Sequence, residues 1–296
     1  MAKNILHMAT PLAHMSPFDV NMALDAGYDA AVPYTNVALG EVAGLVQDAM
    51  FSRSPRDAAR TGFFIGGKDA FLALDMLDAA SKALLKPFEI SLFADPAGSF
   101  TTAAAMIAVV EKILKEKKGR GLAGLMVSIF GATGVVGTAS GVIAALQGAK
   151  VTFVGYDGTQ RVARYADEVK RRFGVDVAIA SGSTPEEKTA IVASTEVLLC
   201  AAKAGVQVLD ASQMRAGANL LVAADVNAVP PLGIEGVDLR ANGSPLGSIG
   251  ALGVGALAIG NVKYGAESGL FKQMAASATS LKLDFRQAFS LARTLV

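Results

Sequence analysis

Glycines at 131, 134 and 137, spaced G-x-x-G-x-x-G, close a short apolar run, Leu125-Met126-Val127-Ser128-Ile129-Phe130. An apolar, alanine-rich stretch follows them to Gly148. Strand, tight turn and helix in that order give such a pattern its meaning. Glycine lets the backbone turn sharply off the strand and approach a ligand with no Cβ in the way. A helix opening at Gly134 aims unpaired N–H groups and the positive end of its dipole at that ligand, which suits a pyrophosphate. The usual dinucleotide pattern G-x-G-x-x-G needs glycine at 132, where Ala132 stands here with Gly131 one step earlier. The candidate cofactor turn is therefore Gly131, Ala132, Thr133, Gly134, Val135, Val136 and Gly137, with Gly137 permitting close packing of helix on strand.

A second strand over 151–155 ends at Tyr156 and Asp157, about 20 residues on, where an acidic side chain meets an adenosine ribose. A carboxylate there accepts from both ribose hydroxyls and repels a 2′-phosphate, so Asp157 favours NAD over NADP. Arg161 and Arg164, one turn further, partly offset that repulsion. Asp157-Gly158-Thr159 reads equally well as a helix start with the carboxylate as its cap.

The elements that must position these residues alternate. Strands are expected over 4–9, 30–34, 62–65 and 89–94, with helices over 16–27, 38–50 and 69–85, the first capped by Ser16 with Pro17 behind it. A loop over 51–62 holds Arg53, Arg56 and Arg60. A long helix running to Lys118 carries Lys115, Lys117 and Lys118 in its favourable last turn. Beyond it come strands over 125–130, 150–156, 175–180, 196–201, 207–209 and 220–225, and helices over 134–148, 159–173 and 185–193. A glycine-rich helical stretch over 248–274 and an amphipathic helix over 281–295 end the chain.

Such alternation implies α/β architecture: a Rossmann-like, doubly wound parallel nucleotide domain over 121–271 and a discontinuous α/β substrate domain over 1–120 and 272–296. Ligands bind beyond the carboxyl ends of the strands in open α/β sheets. Loops at 10–16, 66–68, 95–102, 131–137, 200–203 and 227–231 are thus expected to converge on one interdomain cleft. They supply Thr10, Pro11, Met15, Ser16, Lys68, Asp95, Ser99, Thr101 and Thr102 as substrate candidates, and add Ala201 and Asn227 to the cofactor set with Tyr156, Asp157 and Arg161.

Composition narrows the chemistry further. At 296 residues and net charge +1 the chain has the size of two domains and no basic field for nucleic acid. Cys200, the single cysteine, excludes a disulfide framework and sits in an apolar run as a buried strand residue. His7 and His14 have no companion at metal-ligand spacing, so no metal site is expected. Mean hydropathy is high at +0.42. Two uncharged stretches, 121–149 and 241–262, are nonetheless broken by glycines, each costing a helix roughly 1 kcal/mol. No membrane span or signal peptide is expected, and a cytoplasmic protein follows.

The segments Thr10-Pro11-Leu12-Ala13-His14-Met15-Ser16-Pro17-Phe18-Asp19-Val20, Phe64-Ile65-Gly66-Gly67-Lys68, Asp95-Pro96-Ala97-Gly98-Ser99-Phe100-Thr101-Thr102 and Asn227-Ala228-Val229-Pro230-Pro231-Leu232-Gly233-Ile234 resemble those of the methylenetetrahydromethanopterin dehydrogenases of methylotrophic bacteria. The likeness is greatest to the NAD(P)-dependent branch. The strictly NADP-dependent branch carries an arginine where Tyr156 stands. The resemblance implies a homo-oligomer of two-domain α/β subunits binding a tetrahydromethanopterin C1 derivative between the domains, with NAD and NADP as cofactors.

The implied reaction takes a hydride from a carbon held between two nitrogens, whose lone pairs stabilise the cation left behind. No proton moves, so no general acid or base is required. A carboxylate beside the cation would help: Asp95 is the favoured candidate, Asp19 is expected to cap its helix, and Asp225 is open. Lys68 meets the substrate's acidic tail or is solvated. Two further readings stand beside this one: a dehydrogenase of other substrate, folate C1 units or a shikimate-type hydroxy acid, and a non-catalytic NAD-sensing or scaffold protein.

Overall fold

Short apolar runs separated by helical segments fold as parallel strands, because strands covered on both faces need no polar alternation. The strands Thr61–Ile65, Ser91–Ala94, Val197–Cys200 and Val222–Asp225 are buried at every position. The computed structural model describes residues 2–247 and 249–296. Two compact units are present: Met1–Thr101 with Tyr264–Leu291, and Thr102–Lys263 with Ala292–Val296. Their joints fall inside helices, at 101/102, 263/264 and 291/292, while the sequence suggests joints at 120/121 and 271/272.

The first unit holds β1 (Ile5–Ala9), α1 (Pro17–Asp25), β2 (Ala30–Tyr34), α2 (Val42–Phe51), α3 (Pro55–Ala58), β3 (Thr61–Ile65), α4 (Ala70–Ala83) and β4 (Ser91–Ala94). α5 (Ser99–Lys118) leads onward. The five-stranded parallel sheet runs β12-β4-β3-β1-β2, its last member being β12 (Lys282–Leu283). Phe64, Phe93 and Phe271 form its aromatic core, with ring centroids 5.2–5.4 Å apart. Arg53 and Arg60 tie the 51–60 loop, which contains the short α3, to the start of β1: Arg53 donates to the Lys3 carbonyl and Arg60 to Asn4 Oδ1.

The second unit continues with β5 (Met126–Phe130), α6 (Val135–Leu146), β6 (Lys150–Gly155), α7 (Gln160–Phe173), β7 (Ala178–Ser181), α8 (Pro185–Ala193), β8 (Val197–Cys200), α9 (Ala211–Met214), β9 (Val222–Asp225), β10 (Asn242–Leu246) and β11 (Ala251–Val254). α10 (Ala256–Ala276) and α11 (Phe285–Leu295) close the chain. The seven-stranded sheet runs β10-β11-β9-β8-β5-β6-β7, parallel throughout except for antiparallel β10. Counted from β5, its six parallel strands follow the doubly wound order 3-2-1-4-5-6.

Three expectations are corrected. The 248–274 stretch is not one helix: β11 precedes α10, and β10 and β11 pair as a hairpin. Ser248 itself lies outside the described residues. Residues 207–209 form no strand, only a single bridge from Leu209 to Ile234. The last helix begins at Phe285, after β12. The uncharged 121–149 stretch is β5, its turn and α6. A different segment, Pro96–Lys118, is long and apolar enough to cross a membrane, but 78% of its most apolar 18-residue window is buried within the fold, as in a core helix.

Candidate functional site

In the second unit, β5 ends where Gly131 adopts φ +78°. A Cβ there would also stand 2.3 Å from the Ala201 carbonyl oxygen, so only glycine fits the turn. Gly134 caps α6 in extended conformation without a side-chain bond. Gly137 lets the helix settle on the turn, since a Cβ there would meet Gly131 O at 2.3 Å. Thr138 Oγ1 donates to the Ala132 carbonyl at 2.8 Å and fixes the turn from inside.

This turn opens on a cavity of about 710 Å³. Of the cofactor candidates, Gly131, Ala132, Thr133, Gly134, Tyr156, Arg161 and Ala201 line it together. Val135 and Val136 form the first turn of α6 behind the lining, and Gly137 packs beneath it. Asn227 lies elsewhere: its Oδ1 accepts from the Val229 and Gly205 amides, and its Nδ2 donates to the Pro231 carbonyl at 2.9 Å. It braces its own loop. Asp157 stands outside the lining, with Oδ2 3.7 Å from Arg161 Nη2. It does not cap α7, whose N-cap is Thr159 with no side-chain bond.

Lys203, at the end of the expected 200–203 loop, lines the cavity, and sequence reasoning missed Gly182, Ser183 and Lys188, which line it too. These three come from the β7–α8 connection and from α8, where no short motif marks them. Lys188 Nζ donates to the Val208 carbonyl at 2.9 Å. Bare backbone at a helix N-terminus, beside a half-open cavity rich in cations, fits a dinucleotide pyrophosphate.

The first unit has its own cavity of about 340 Å³, beyond the carboxyl ends of β1 and β3. Thr10, Met15, Ser16 and Lys68 line it, with His14, Asp19 and Ala97. Pro11 packs against Gly67 just outside. Ser16 caps α1, accepting from the Asp19 amide at 3.4 Å. Asp19 is only 2% exposed, yet it is among the residues that line this cavity.

Asp95 does not line the cavity. Its Oδ1 accepts from the Phe100 amide at 2.8 Å and the Thr101 amide at 3.3 Å, while Thr101 Oγ1 donates to Oδ2 at 2.6 Å. The carboxylate caps the first turn of α5, and Thr101 is spent on holding it. Ser99 donates to the Ala97 carbonyl, and Thr102 lies one residue further along α5. Asp225 is likewise a brace: it accepts from the Asn227 and Ile234 amides, and burial above all pushes its carboxyl up from the usual range.

A doubly wound sheet with a glycine turn on its first strand, joined to a second parallel α/β unit, is the architecture of the two-domain, dinucleotide-dependent dehydrogenases. Residues 17–97 match the family model described as methylene-tetrahydromethanopterin dehydrogenase, N-terminal. The chain is 51% identical over 292 residues, 99% of its length and 98% of the relative, to the NAD(P)-dependent methylenetetrahydromethanopterin dehydrogenase of Methylorubrum extorquens strain AM1. It belongs to the methylenetetrahydromethanopterin dehydrogenase family. The bifunctional protein MdtA of the same organism is 29% identical over 260 residues, 87% of this chain and 88% of the relative. Among solved structures, quinate dehydrogenase from Corynebacterium glutamicum in complex with NAD superposes with TM-score 0.54 at 14% identity, covering 98% of each chain. That likeness speaks of fold alone.

Proposed function

We propose that this protein oxidises methylene-tetrahydromethanopterin to the methenyl cation, with NAD(P)⁺ as the hydride acceptor. The observation that carries the reading is near full-length relationship to an enzyme of that name, joined to a glycine turn whose geometry admits no Cβ at Gly131. The turn residues 131–134 and the first amides of α6 hold the pyrophosphate, and Tyr156 receives the adenosine end. NAD(P)⁺, when bound, supplies the electrophilic ring to which the hydride passes.

The chain's own residues bind and orient. No side chain needs to move a proton, because the donor carbon's flanking nitrogens stabilise the charge that develops. The first-unit cavity takes the pterin, with Thr10, Met15 and Ser16 in its wall. Asp19, not Asp95, is the acidic residue of that wall, and its charge would balance the product cation. The same reading extends to a homo-oligomer working in the cytoplasm, which sedimentation and cell fractionation test.

The deciding assay follows NAD(P)H absorbance with methylene-tetrahydromethanopterin and methylene-tetrahydrofolate side by side. Turnover with the methanopterin derivative and little with the folate is expected. Equal or greater folate activity would overturn the pterin assignment, and silence with both would return the protein to a non-catalytic role.

A further inference from the structure

We propose that Arg161 is the residue through which this site admits a 2′-phosphate, and that its ion pair with Asp157 is the contact exchanged when the phosphate arrives. The proposal deepens the nucleotide-site reading and rests on it, but it is independent of the pterin.

Arg161 lies in the first turn of α7, directly after the Tyr156–Gly158 bridge that ends β6. Its guanidinium carbon sits 4.6 Å above the centroid of the Tyr156 ring. Stacking of this kind holds the planar group by its face and leaves its N–H edge for a ligand. Tyr156 is 69% exposed, so the pair stands at the mouth of the cavity.

The charges around the cavity run one way. Arg161, Lys188 and Lys203 line it, and among the described residues no carboxylate does. Lys188, in the first turn of α8, is already committed to the Val208 carbonyl. Asp157, the residue expected to read the ribose hydroxyls and reject a phosphate, is turned to Arg161 at 3.7 Å outside the lining. Both partners of that pair are a little under half exposed, a setting in which an ion pair contributes little and is readily exchanged. A phosphate dianion offers the guanidinium fork two oxygens and more charge than a carboxylate can. The N-terminus of the 14-residue α7 adds positive potential at the same place. With a cofactor lacking the 2′-phosphate, Arg161 remains paired to Asp157, and nothing in the wall repels the ribose. One site thereby serves both cofactors.

The test uses the full-length protein and two probes, 2′,5′-ADP and 5′-AMP, titrated by calorimetry. Arg161→Gln should weaken 2′,5′-ADP by roughly 10- to 100-fold, the loss of one charge-assisted contact. It should leave 5′-AMP within about twofold, and Arg161→Lys should restore part of the loss, as a point charge does. Asp157→Asn should tighten 2′,5′-ADP, since its competitor for the guanidinium is gone. A melting curve confirms that each variant is folded. Equal weakening of both probes by Arg161→Gln would reduce Arg161 to a stacking group and overturn the assignment. So would discrimination lost in Lys203→Gln and kept in Arg161→Gln. A wild-type protein binding neither probe would bring down the nucleotide site itself, and the assignment with it.

Discussion

Two glycines three residues apart do different work. At Gly131 the backbone is left-handed and a Cβ would meet the Ala201 carbonyl, so the residue is needed for folding. At Gly134 φ is −76° and the nearest atom to a Cβ is Gly131 O at 3.3 Å. Gly131→Ala should therefore cost about 2 kcal/mol or more, from the left-handed conformation and the clash together, lowering Tm by about 4–8 °C. Gly134→Val should cost only about 1 kcal/mol as a poorer cap, yet weaken NAD at least about 10-fold by placing a branched side chain where the pyrophosphate needs backbone. Calorimetry and melting on the pair separate the roles; a Gly134→Val protein binding NAD at full strength would misplace the site. Both glycines were legible from spacing after a strand. The fate of Asp95 was not. A carboxylate between Ala94 and Pro96 suits a cap or a ligand equally, and only the Phe100 and Thr101 amides decide.

Helices and strands differ in how openly they declare themselves. α7 is strongly amphipathic and ends at Gly174 with φ +67°, so its bounds follow from its sequence. The β10–β11 hairpin was hidden, because an uncharged stretch with six glycines between 241 and 262 has the composition of a loose helix. What makes it a hairpin is register: Leu246 opposite Ala251, and β11 laid parallel on β9. The cavity-lining Lys188 was obscured for a similar reason, as nothing local separates a solvated helix lysine from one whose Nζ reaches the Val208 carbonyl.

On α7, Arg171 above all, with Arg172 helping it to outweigh burial, holds the Glu168 carboxyl down to about 2. Arg171 Nε donates to it at 2.8 Å. A value lowered in the folded state means stability that is present above the ordinary 4.5 and lost as pH falls toward 2. Glu168→Gln should lower Tm at pH 6 by about 2–4 °C, the worth of a surface ion-pair network of about 1 kcal/mol. The gap to wild type should close by pH 2. A gap unchanged across that range would show that the clamp adds nothing.

At the scale of the whole molecule, the last turn of α11 is fastened back into the second unit by one ion cluster. Arg293 grips Glu111 of α5 through two bonds of 2.7 Å and also reaches Gln147 Oε1 at 2.6 Å. Burial pushes the Glu111 carboxyl up, but Arg293 and Lys115 outweigh it and the net shift is downward. Arg293→Ala leaves a 6%-exposed carboxylate with Lys115 alone and should cost about 3 kcal/mol in urea unfolding. The double change Glu111→Gln with Arg293→Met should cost less than Arg293→Ala; an equal or larger cost would mean that packing, not charge, holds the end.

The molecule's single thiol gives the protein one more property. Cys200 is fully enclosed at the end of β8 against Gly233 and Asp225, and burial first, then the Asp225 charge, pushes it up to about 12. Toward electrophiles, alkylating reagents and mercurials the folded chain thus behaves as if it contained no cysteine. Any thiol introduced on its surface will be the one a spin label or fluorophore finds, and the native sequence can serve as its own blank.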